Sequence, residues 1–281
     1  MKHMTYILEK LDQIPLELTL EKTETPNITR FSFLSLHQNK VYGHMYESHV
    51  SSKKTWIILY HGLGAHTLTP GYLAFVKWWT DQGYDVIGMD VRHQGGLTKG
   101  IPSIDQRGLY VSGVAQFETY YYTTIYADAY RLVTVAKTLK PDHHVYATGG
   151  SQGGALAFFA ATMHQEVELL MIEMPSNVCI PILVNTSEGG FKAFKTHHVD
   201  LPDWLLSDID LLAYAKKLHI PILMASGTND TICPYSTAIK LYDMLDTKKK
   251  IITYEGFGHG GYDDLFFQEK LQFIFEHQKK G

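Results

Sequence analysis

The chain has few cysteines and lacks a long apolar segment. Only two of its 281 residues are cysteine, Cys179 and Cys233. Their wide spacing does not indicate a pair, so we expect two free thiols in a reducing compartment. No apolar run approaches the roughly 20 residues that a membrane-spanning helix needs. Glu9, Asp12 and Glu17 interrupt the stretch where a signal peptide would have its apolar segment. We therefore expect a cytoplasmic protein with no membrane partner.

A basic stripe of the kind that nucleic-acid-binding proteins carry is also missing. The formal net charge is -4, and the lysine run at residues 248–250 precedes a predicted strand, where we interpret it as a solvated turn. We expect no nucleic-acid partner. Hydrophobic residues make up 45% of the chain, which at this length is ample for one large core. We expect a single domain over residues 1–281.

From residue 56 onward, short apolar runs alternate with helical patterns. This rhythm predicts a mostly parallel sheet with helices on both faces. Before it, alternating runs at 29–36 and 40–46 predict an antiparallel hairpin at the N-terminal edge. The predicted strands are 56–60, 84–89, 145–148, 169–173, 221–225 and 251–254, and the predicted helices are 72–82, 120–139, the run after residue 151, 208–218, 236–245 and 262–277.

Residues 175–204 do not fit this alternation of strands and helices. The segment begins apolar and ends with His197, His198 and Asp200. We interpret it as an insertion or lid over the strand ends, where specificity elements tend to lie. The two histidines could suggest zinc, but adjacent side chains diverge in regular backbone, so we expect no metal.

Residues 149–154, GGSQGG, lie between a β-branched run and an Ala-rich helical run. A serine at so sharp a strand-to-helix turn is typical of a nucleophile elbow, because Gly149 and Gly153 leave room for a tight reversal. Two other interpretations are a phosphate-binding loop and a merely tight turn. The first lacks both a following Lys-Ser/Thr and the G-x-G-x-x-G spacing. Ser151 is therefore the candidate nucleophile.

Asp230 and His259 follow later predicted strands, and with Ser151 they stand in the order Ser, Asp, His. This is the order of the catalytic triad in α/β-hydrolases. Alone, Asp230 would be better explained as a helix cap or Asx turn, and His259 as a surface histidine. Glu173 is a rival acid, but Met174 and Pro175 follow it directly and restrict its freedom to turn inward.

An oxyanion site needs two N–H donors. The residue after the nucleophile, Gln152, supplies one from its backbone. The loop after the first buried strand begins with His61 and Gly62, and we assign the second donor to the backbone N–H of Leu63. His61 itself we interpret as a structural brace of the loop, not as the general base.

Several stretches together resemble the acetyl xylan esterase and cephalosporin C deacetylase family, carbohydrate esterase family seven. The resemblance extends from Lys40 to the C-terminus, and the acid loop from Asp230 to Pro234 is similar to the family's Asp-x-x-Cys-Pro. It implies an α/β-hydrolase fold with Ser151, Asp230 and His259 as nucleophile, acid and base, and Arg92 and Gln94 as structural supports. The other stretches are 90–96 (DVRHQGG), 105–108 (DQRG), 118–122 (ETYYY) and 149–154 (GGSQGG).

The chain departs from the family pattern at three places. His93 stands for the glycine of the family's Arg-Gly-Gln, Gly260 for the glutamate of its His-Glu pair, and Leu63 for a usual tyrosine. Leu63 needs to supply only its backbone N–H, so that role survives. The change at Gly260 removes a contact near the histidine, so we expect it to bear on substrate range and assembly more than on the chemistry. Family members often form doughnut-like hexamers, and we leave open whether this chain is a homo-oligomer.

These observations predict a serine esterase that hydrolyses small acyl esters, chiefly acetyl esters, of sugars or related alcohols through an acyl-enzyme. The partner is a small-molecule ester, and no cofactor is expected. One alternative is a serine peptidase related to prolyl oligopeptidase, although such enzymes carry a large N-terminal propeller for which this chain has no room. The other is a non-catalytic hydrolase-like binding protein, which the presence of all three triad residues disfavours.

Overall fold

Nine strands form one sheet in the computed structural model, which describes residues 2–50 and 53–278. Their order is β1-β2-β3-β5-β4-β6-β7-β8-β9. The six strands from β5 to β9 in this order are parallel, and β1, β2 and β3 join them antiparallel. The strands are β1 Thr19–Lys22, β2 Ile28–Leu34, β3 Lys40–Tyr46, β4 Thr55–Tyr60, β5 Asp85–Met89, β6 His144–Gly150, β7 Leu169–Glu173, β8 Ile222–Gly227 and β9 Lys249–Tyr254.

Eight α-helices in the described residues cover the sheet. Helices α2 and α8 pack on one face, while α3, α4 and α7 pack on the other, with α1 against α3. None of the helices in the described ranges is long and apolar enough to cross a membrane. The helices are α1 Lys2–Asp12, α2 Pro70–Asp81, α3 Tyr121–Leu139, α4 Gln152–Met163, α5 Ile180–Thr186, α6 Lys192–Thr196, α7 Tyr235–Met244 and α8 Asp263–His277.

The central strands are apolar on both sides because helices cover both faces. In β4 the side chains of Trp56 and Ile58 enter the core beneath α3 and α4, and those of Ile57 and Leu59 enter the core beneath α2 and α8. All six residues of β4 are buried. An uninterrupted apolar run is the expected sequence of such a strand. The candidate site residues follow the parallel strands at their carboxyl ends.

The mostly parallel sheet and its antiparallel N-terminal edge are confirmed. The predicted hairpin is the pair β2 and β3, and most predicted helices and strands after residue 56 lie within two residues of their observed bounds. Strand β1 was not predicted. All four of its residues are exposed, so it has no apolar alternation to detect.

The prediction of one helix over residues 208–218 is wrong. The structure has three short turns there, Leu205–Ile209, Leu211–Ala213 and Ala215–Lys217. Asp210 interrupts the helix, because its backbone is extended and its carboxylate accepts hydrogen bonds from the N–H groups of Leu212, Cys179 and Ile180. An aspartate that bonds nearby backbone competes with helix formation in this way.

The interpretation of residues 248–250 as a turn is also wrong in part. Lys249 and Lys250 belong to strand β9, which lies at the edge of the sheet and is half-buried along its length. The Lys249 ammonium donates to the carbonyls of Tyr242 and Leu245, so its charge caps the end of α7.

Residues 175–204 lie between β7 and β8 and include α5 and α6. Their apolar side chains, among them Val178, Leu183 and Phe194, are buried in the same core as α3 and α4. The outer side of α6 and Leu63 line a shared surface groove. The interpretation of this segment as a lid stays a prediction.

A buried ion pair fastens the loop after β5 to α3. Arg92, which is fully buried, donates to both carboxylate oxygens of Asp128, at 2.6 and 2.7 Å, and to the Ile101 carbonyl at 2.6 Å. The hydroxyl of Ser35, which follows β2, donates to the same carboxylate. One aspartate therefore holds the site loop, the long helix and the N-terminal hairpin together.

We expect Asp128→Asn to lower the free energy of unfolding by about 3 kcal/mol, because it leaves the Arg92 charge buried without its counter-charge. The control is Asp81→Asn in the exposed pair with Lys77 on α2, which should cost less than about 0.5 kcal/mol. Urea unfolding of the two variants measures the difference. Equal stabilities would show that the buried pair has no special role.

Candidate active site

Ser151 lies at the turn between β6 and α4, and its backbone is strained. Its φ of 56° and ψ of -121° are rare for a residue with a side chain. Three backbone hydrogen bonds hold it there: its N–H donates to the Glu173 carbonyl at 3.0 Å, and its carbonyl accepts from the N–H groups of Ser176 at 3.0 Å and Ala155 at 3.1 Å. The hydroxyl does not cap α4 and is left for the site.

The glycines around the serine are required by close backbone approach. A Cβ on Gly153 would overlap the carbonyl oxygen of Tyr60 at the end of β4, and a Cβ on Gly149 would overlap the backbone of Gly153. The first turn of α4 therefore lies directly against strand β4. This contact brings Ser151 next to the loop that follows β4.

Asp230 and His259 are brought together from the loops after β8 and β9. The His259 Nδ1 lies 2.8 Å from Asp230 Oδ2. A carboxylate only accepts, so Nδ1 carries the hydrogen and Nε2 is the nitrogen that faces other partners. The Asp230 side chain is fully buried, whereas that of His259 is 23% exposed. The acid is thus shielded from water and the imidazole is accessible.

The Asx turn that the sequence offered as another explanation of Asp230 is present in the structure. Its second oxygen, Oδ1, accepts from the N–H groups of Ile232 and Cys233, both at 2.8 Å. The Asx turn and the bond to His259 use different oxygens of one carboxylate. The turn consequently fixes the direction in which the other oxygen points.

Ser151 and His259 line the same cavity, of about 590 Å³. It lies on the face of the sheet that α2 and α8 cover, and Phe75 and Phe267 form part of its wall. Its volume is in the range of small-molecule sites. The elbow therefore opens onto a space large enough for an ester.

The candidate oxyanion donors belong to two neighbouring segments, the start of α4 and the loop after β4. Gln152 begins α4, so its N–H is one of those that have no acceptor within the helix. Leu63 follows Gly62, whose Cβ position is 3.8 Å from the Gly150 carbonyl oxygen. Within the described residues, neither the Leu63 nor the Gln152 N–H donates to a protein acceptor. Both remain available for a ligand oxygen.

Gln94 joins the loop after β4 to the start of α4. Its Oε1 accepts from the Gly64 N–H at 2.8 Å, and its Nε2 donates to Gln152 Oε1 at 2.9 Å and to the Tyr121 hydroxyl at 2.6 Å. Tyr121 in turn donates to the Arg92 carbonyl. Both residues predicted as supports, Arg92 and Gln94, thus lie behind the elbow, and Gln94 links the backbone segments that carry the two candidate donors.

His61 is engaged by backbone on both ring nitrogens. Nδ1 donates to the Gly62 carbonyl at 2.8 Å, and Nε2 accepts from the Val91 N–H at 3.0 Å. Burial lowers the pKa of His61, which keeps the ring neutral as this arrangement requires. The structure places it beneath the loop and not against Ser151.

Glu173, the rival acid, bonds to a different partner. Its Oε1 accepts from the ammonium of Lys270 on α8 at 3.2 Å, and both side chains are only 7% exposed. Both residues line the cavity next to Ser151. Lys270 was not assigned to the site from the sequence. A signal was present, because Lys270 lies at helical spacing from Phe266 and Phe273 and so interrupts the apolar stripe of α8 with a charge.

Cys233 is a second residue that was not assigned to the site. Both cysteines are free and buried. Burial raises the pKa of the Cys233 thiol, the nearby Asp230 charge raises it further, and the neighbouring Ser151 hydroxyl opposes this shift. A neutral thiol thus lies beside the nucleophile.

His197 and His198 belong to no three-residue metal cluster within the part of the chain that the structure describes. No group of three or more His, Cys, Asp or Glu side chains within residues 2–50 and 53–278 is placed to hold a metal ion. His197 follows α6 and lines the surface groove shared with Leu63.

We expect Gly153→Ala to destabilise the fold by more than about 2 kcal/mol, because the new methyl group would overlap the Tyr60 carbonyl. Gly71→Ala is the matched control: Gly71 lies in the first turn of α2, where a Cβ would meet nothing within 4 Å. Thermal unfolding compares the variants. Similar melting temperatures would contradict the close contact of α4 with β4.

Comparison with known proteins was made for both sequence and structure. The family model for acetyl xylan esterase (AXE1) matches residues 4–277. An acetyl esterase from Xylanibacter ruminicola is 23% identical over 151 residues, which are 52% of this chain and 34% of that protein. The match thus spans about a third of the length of this curated relative.

Solved structures of similar proteins share the fold. Acetyl xylan esterase 1 from Thermoanaerobacterium sp. JW/SL YS485 superposes with a TM-score of 0.85 at 20% identity, covering 99% of this chain and 93% of that one. An acetyl xylan esterase from Paenibacillus sp. R4 gives a TM-score of 0.83 at 22% identity, covering 98% and 92%. At these identities the likeness concerns the fold, and it confirms the α/β-hydrolase architecture.

Proposed function

The chain belongs to the acetyl xylan esterase family, and on this premise we propose that it is a serine esterase that removes small acyl groups, chiefly acetyl, from sugars or related alcohols. The observation that carries the proposal is that His259, which is bonded to Asp230, lines one cavity together with the strained Ser151. Family membership supports a carboxylic ester hydrolase over the peptidase alternative.

In the proposed mechanism, His259 Nε2 accepts the proton of the Ser151 hydroxyl as the oxygen attacks the ester carbonyl. Asp230 keeps the proton on Nδ1 and stabilises the imidazolium that forms. The backbone N–H groups of Leu63 and Gln152 bind the oxyanion of the tetrahedral intermediate. The intermediate collapses to an acyl-enzyme, and the imidazolium gives its proton to the departing alcohol. Water then attacks the acyl-enzyme by the same route and regenerates the serine.

The finer points of the proposal are location and substrate. Two buried free thiols, Cys179 and Cys233, support a cytoplasmic protein. The substrate is a small-molecule ester, and neither nucleic acid nor a membrane takes part. Acetylated xylo-oligosaccharides, cephalosporin C and simple acetates form the substrate panel, because the family resemblance includes xylan esterases and cephalosporin C deacetylases.

We expect Ser151→Ala to abolish nearly all turnover of p-nitrophenyl acetate, by about a thousandfold or more, while the melting temperature stays near that of the wild type. The change removes one oxygen and leaves the backbone strain as it was. Ser236→Ala, at an exposed position of α7, is the control and should keep full activity. Covalent labelling of the wild type by a fluorophosphonate, absent in Ser151→Ala, would identify the nucleophile. Near-wild-type turnover by Ser151→Ala would refute the assignment.

We expect p-nitrophenyl acetate and propionate to be hydrolysed with kcat/KM at least about tenfold higher than the octanoate. An octanoyl chain in the cavity would place its apolar tail against the charges of Glu173 and Lys270. The tail would exclude water from these charges and could not form hydrogen bonds with them. Steady-state kinetics over the acyl series measures this preference. Faster cleavage of the octanoate would rule out a small-acyl site, and faster cleavage of an aminoacyl amide than of the acetate would favour a peptidase.

A further inference from the structure

The cavity beside Ser151 contains a charge pair that the proposed mechanism does not use. Glu173 ends β7, and Lys270 lies on α8, whose apolar stripe covers the same face of the sheet. Both side chains are more than nine-tenths buried, and both line the cavity that Ser151 and His259 line. A Cβ placed on Gly150 would be 3.0 Å from Glu173 Cγ, so the carboxylate side chain lies directly next to the elbow.

The fold does not require charge at these positions. On the same face of β7, the preceding residues Leu169 and Met171 are apolar and belong to the core beneath α2 and α8. On α8, Phe266 and Phe273 flank Lys270 along the buried stripe. Burying a carboxylate and an ammonium carries a desolvation penalty that apolar side chains of the same volume would avoid. Methionine or leucine at both positions would therefore stabilise the fold at least as well as the charged pair.

The pair also has unused hydrogen-bonding capacity. Glu173 Oε1 accepts from Lys270, but the buried Oε2 has no hydrogen-bond partner among the described residues. The Lys270 ammonium has three hydrogens and makes its one described hydrogen bond to Glu173, with the ring of Phe266 below it at 4.5 Å. The pair therefore joins an acceptor that has no partner among the described residues to an ammonium with spare donors, and both residues line the cavity.

The charges of the pair decide which ligand fits. Glu173 and Lys270 neutralise each other, so a ligand with a net charge would meet one partner of its own sign. A hydroxyl group is neutral, and it can donate to the carboxylate while it accepts from the ammonium. Phe75 and Phe267 on the cavity wall offer apolar faces to the C–H groups of a polyol.

From these observations we infer that Glu173 and Lys270 form a hydroxyl-recognition subsite, which selects esters that carry a free hydroxyl near the ester bond. This inference rests on the proposed esterase function. A polyol that is partly acylated satisfies the pair, whereas a fully acylated or fully apolar ester leaves both charges desolvated and unpaired with ligand. The hydroxyl can belong to the alcohol part or to the acyl part of the ester, and the two sources are separable by experiment.

The test compares substrates that differ only in the hydroxyl. For the alcohol part, a monoacetylated methyl xyloside with free hydroxyls is compared with its di-O-methyl ether. For the acyl part, p-nitrophenyl glycolate is compared with p-nitrophenyl propionate, in which a methyl group replaces the hydroxyl. We expect the wild type to prefer the hydroxylated substrate by about tenfold or more in kcat/KM in at least one of the two comparisons. The comparison that shows the preference identifies the part of the ester that enters the subsite.

The decisive variant is Glu173→Met combined with Lys270→Met, because replacing a buried ion pair by apolar side chains of similar size usually preserves stability. We expect its preference for the hydroxylated substrate to fall below about threefold. The control removes the exposed pair Lys250 and Glu269 between β9 and α8 by changing both residues to Gln, and should keep the wild-type preference. If the double variant does not fold, Glu173→Gln tests the same point, since it keeps the shape and removes the charged acceptor.

Two results would overturn the inference: a wild type with no preference for the hydroxyl in either comparison, or a preference that persists when the pair is removed. Failure of the proposed function gives a different result. In that case the wild type hydrolyses no acetyl ester of either kind, and Ser151 is not labelled by a fluorophosphonate.

Discussion

The contact between the first turn of α4 and the end of β4 is the constraint on which the site depends. Gly153 lies so close to the Tyr60 carbonyl that no side chain fits between them, and Ser151, two residues before it, has a positive φ. The same contact brings the start of α4, which carries Gln152, next to the loop that carries Leu63. Gln94 then holds that loop and α4 together through Gly64 and the Gln152 side chain. The strain at one residue is thus maintained by the packing of two parallel strands and a helix.

The acid side of the site is organised by a single carboxylate with two tasks. Asp230 bonds through one oxygen to the backbone of its own turn and through the other to His259. The two backbone donors orient the carboxylate and are independent of the protonation of His259. Asp230 therefore both forms a turn, as its sequence context indicates, and orients the imidazole of His259.

The sequence was sufficient for those features that a local pattern encodes. Buried strands such as β4 are continuous apolar runs, Ser151 is marked by its glycines, and the order of Ser151, Asp230 and His259 reflects strand order. It was insufficient where the partner is remote or the signal is absent. Nothing near Asp210 indicates that its carboxylate would bind the backbone of α5 and break the predicted helix. The pairing of Glu173 with Lys270 joins residues 97 positions apart, so it emerges only once α8 lies across the sheet.

The two outer strands of the sheet share one property. In β1 every residue is exposed, with Glu21 paired to Arg30 across to β2, and at the other edge β9 begins with Lys249 and Lys250. An edge strand offers unpaired backbone groups to any passing strand, and charged side chains on it oppose such pairing. A further strand added at either end would have to approach these charges. The charges on β1 and β9 consequently oppose edge-to-edge aggregation at both ends of the sheet, and the molecule can keep two open sheet edges without growing into a fibre.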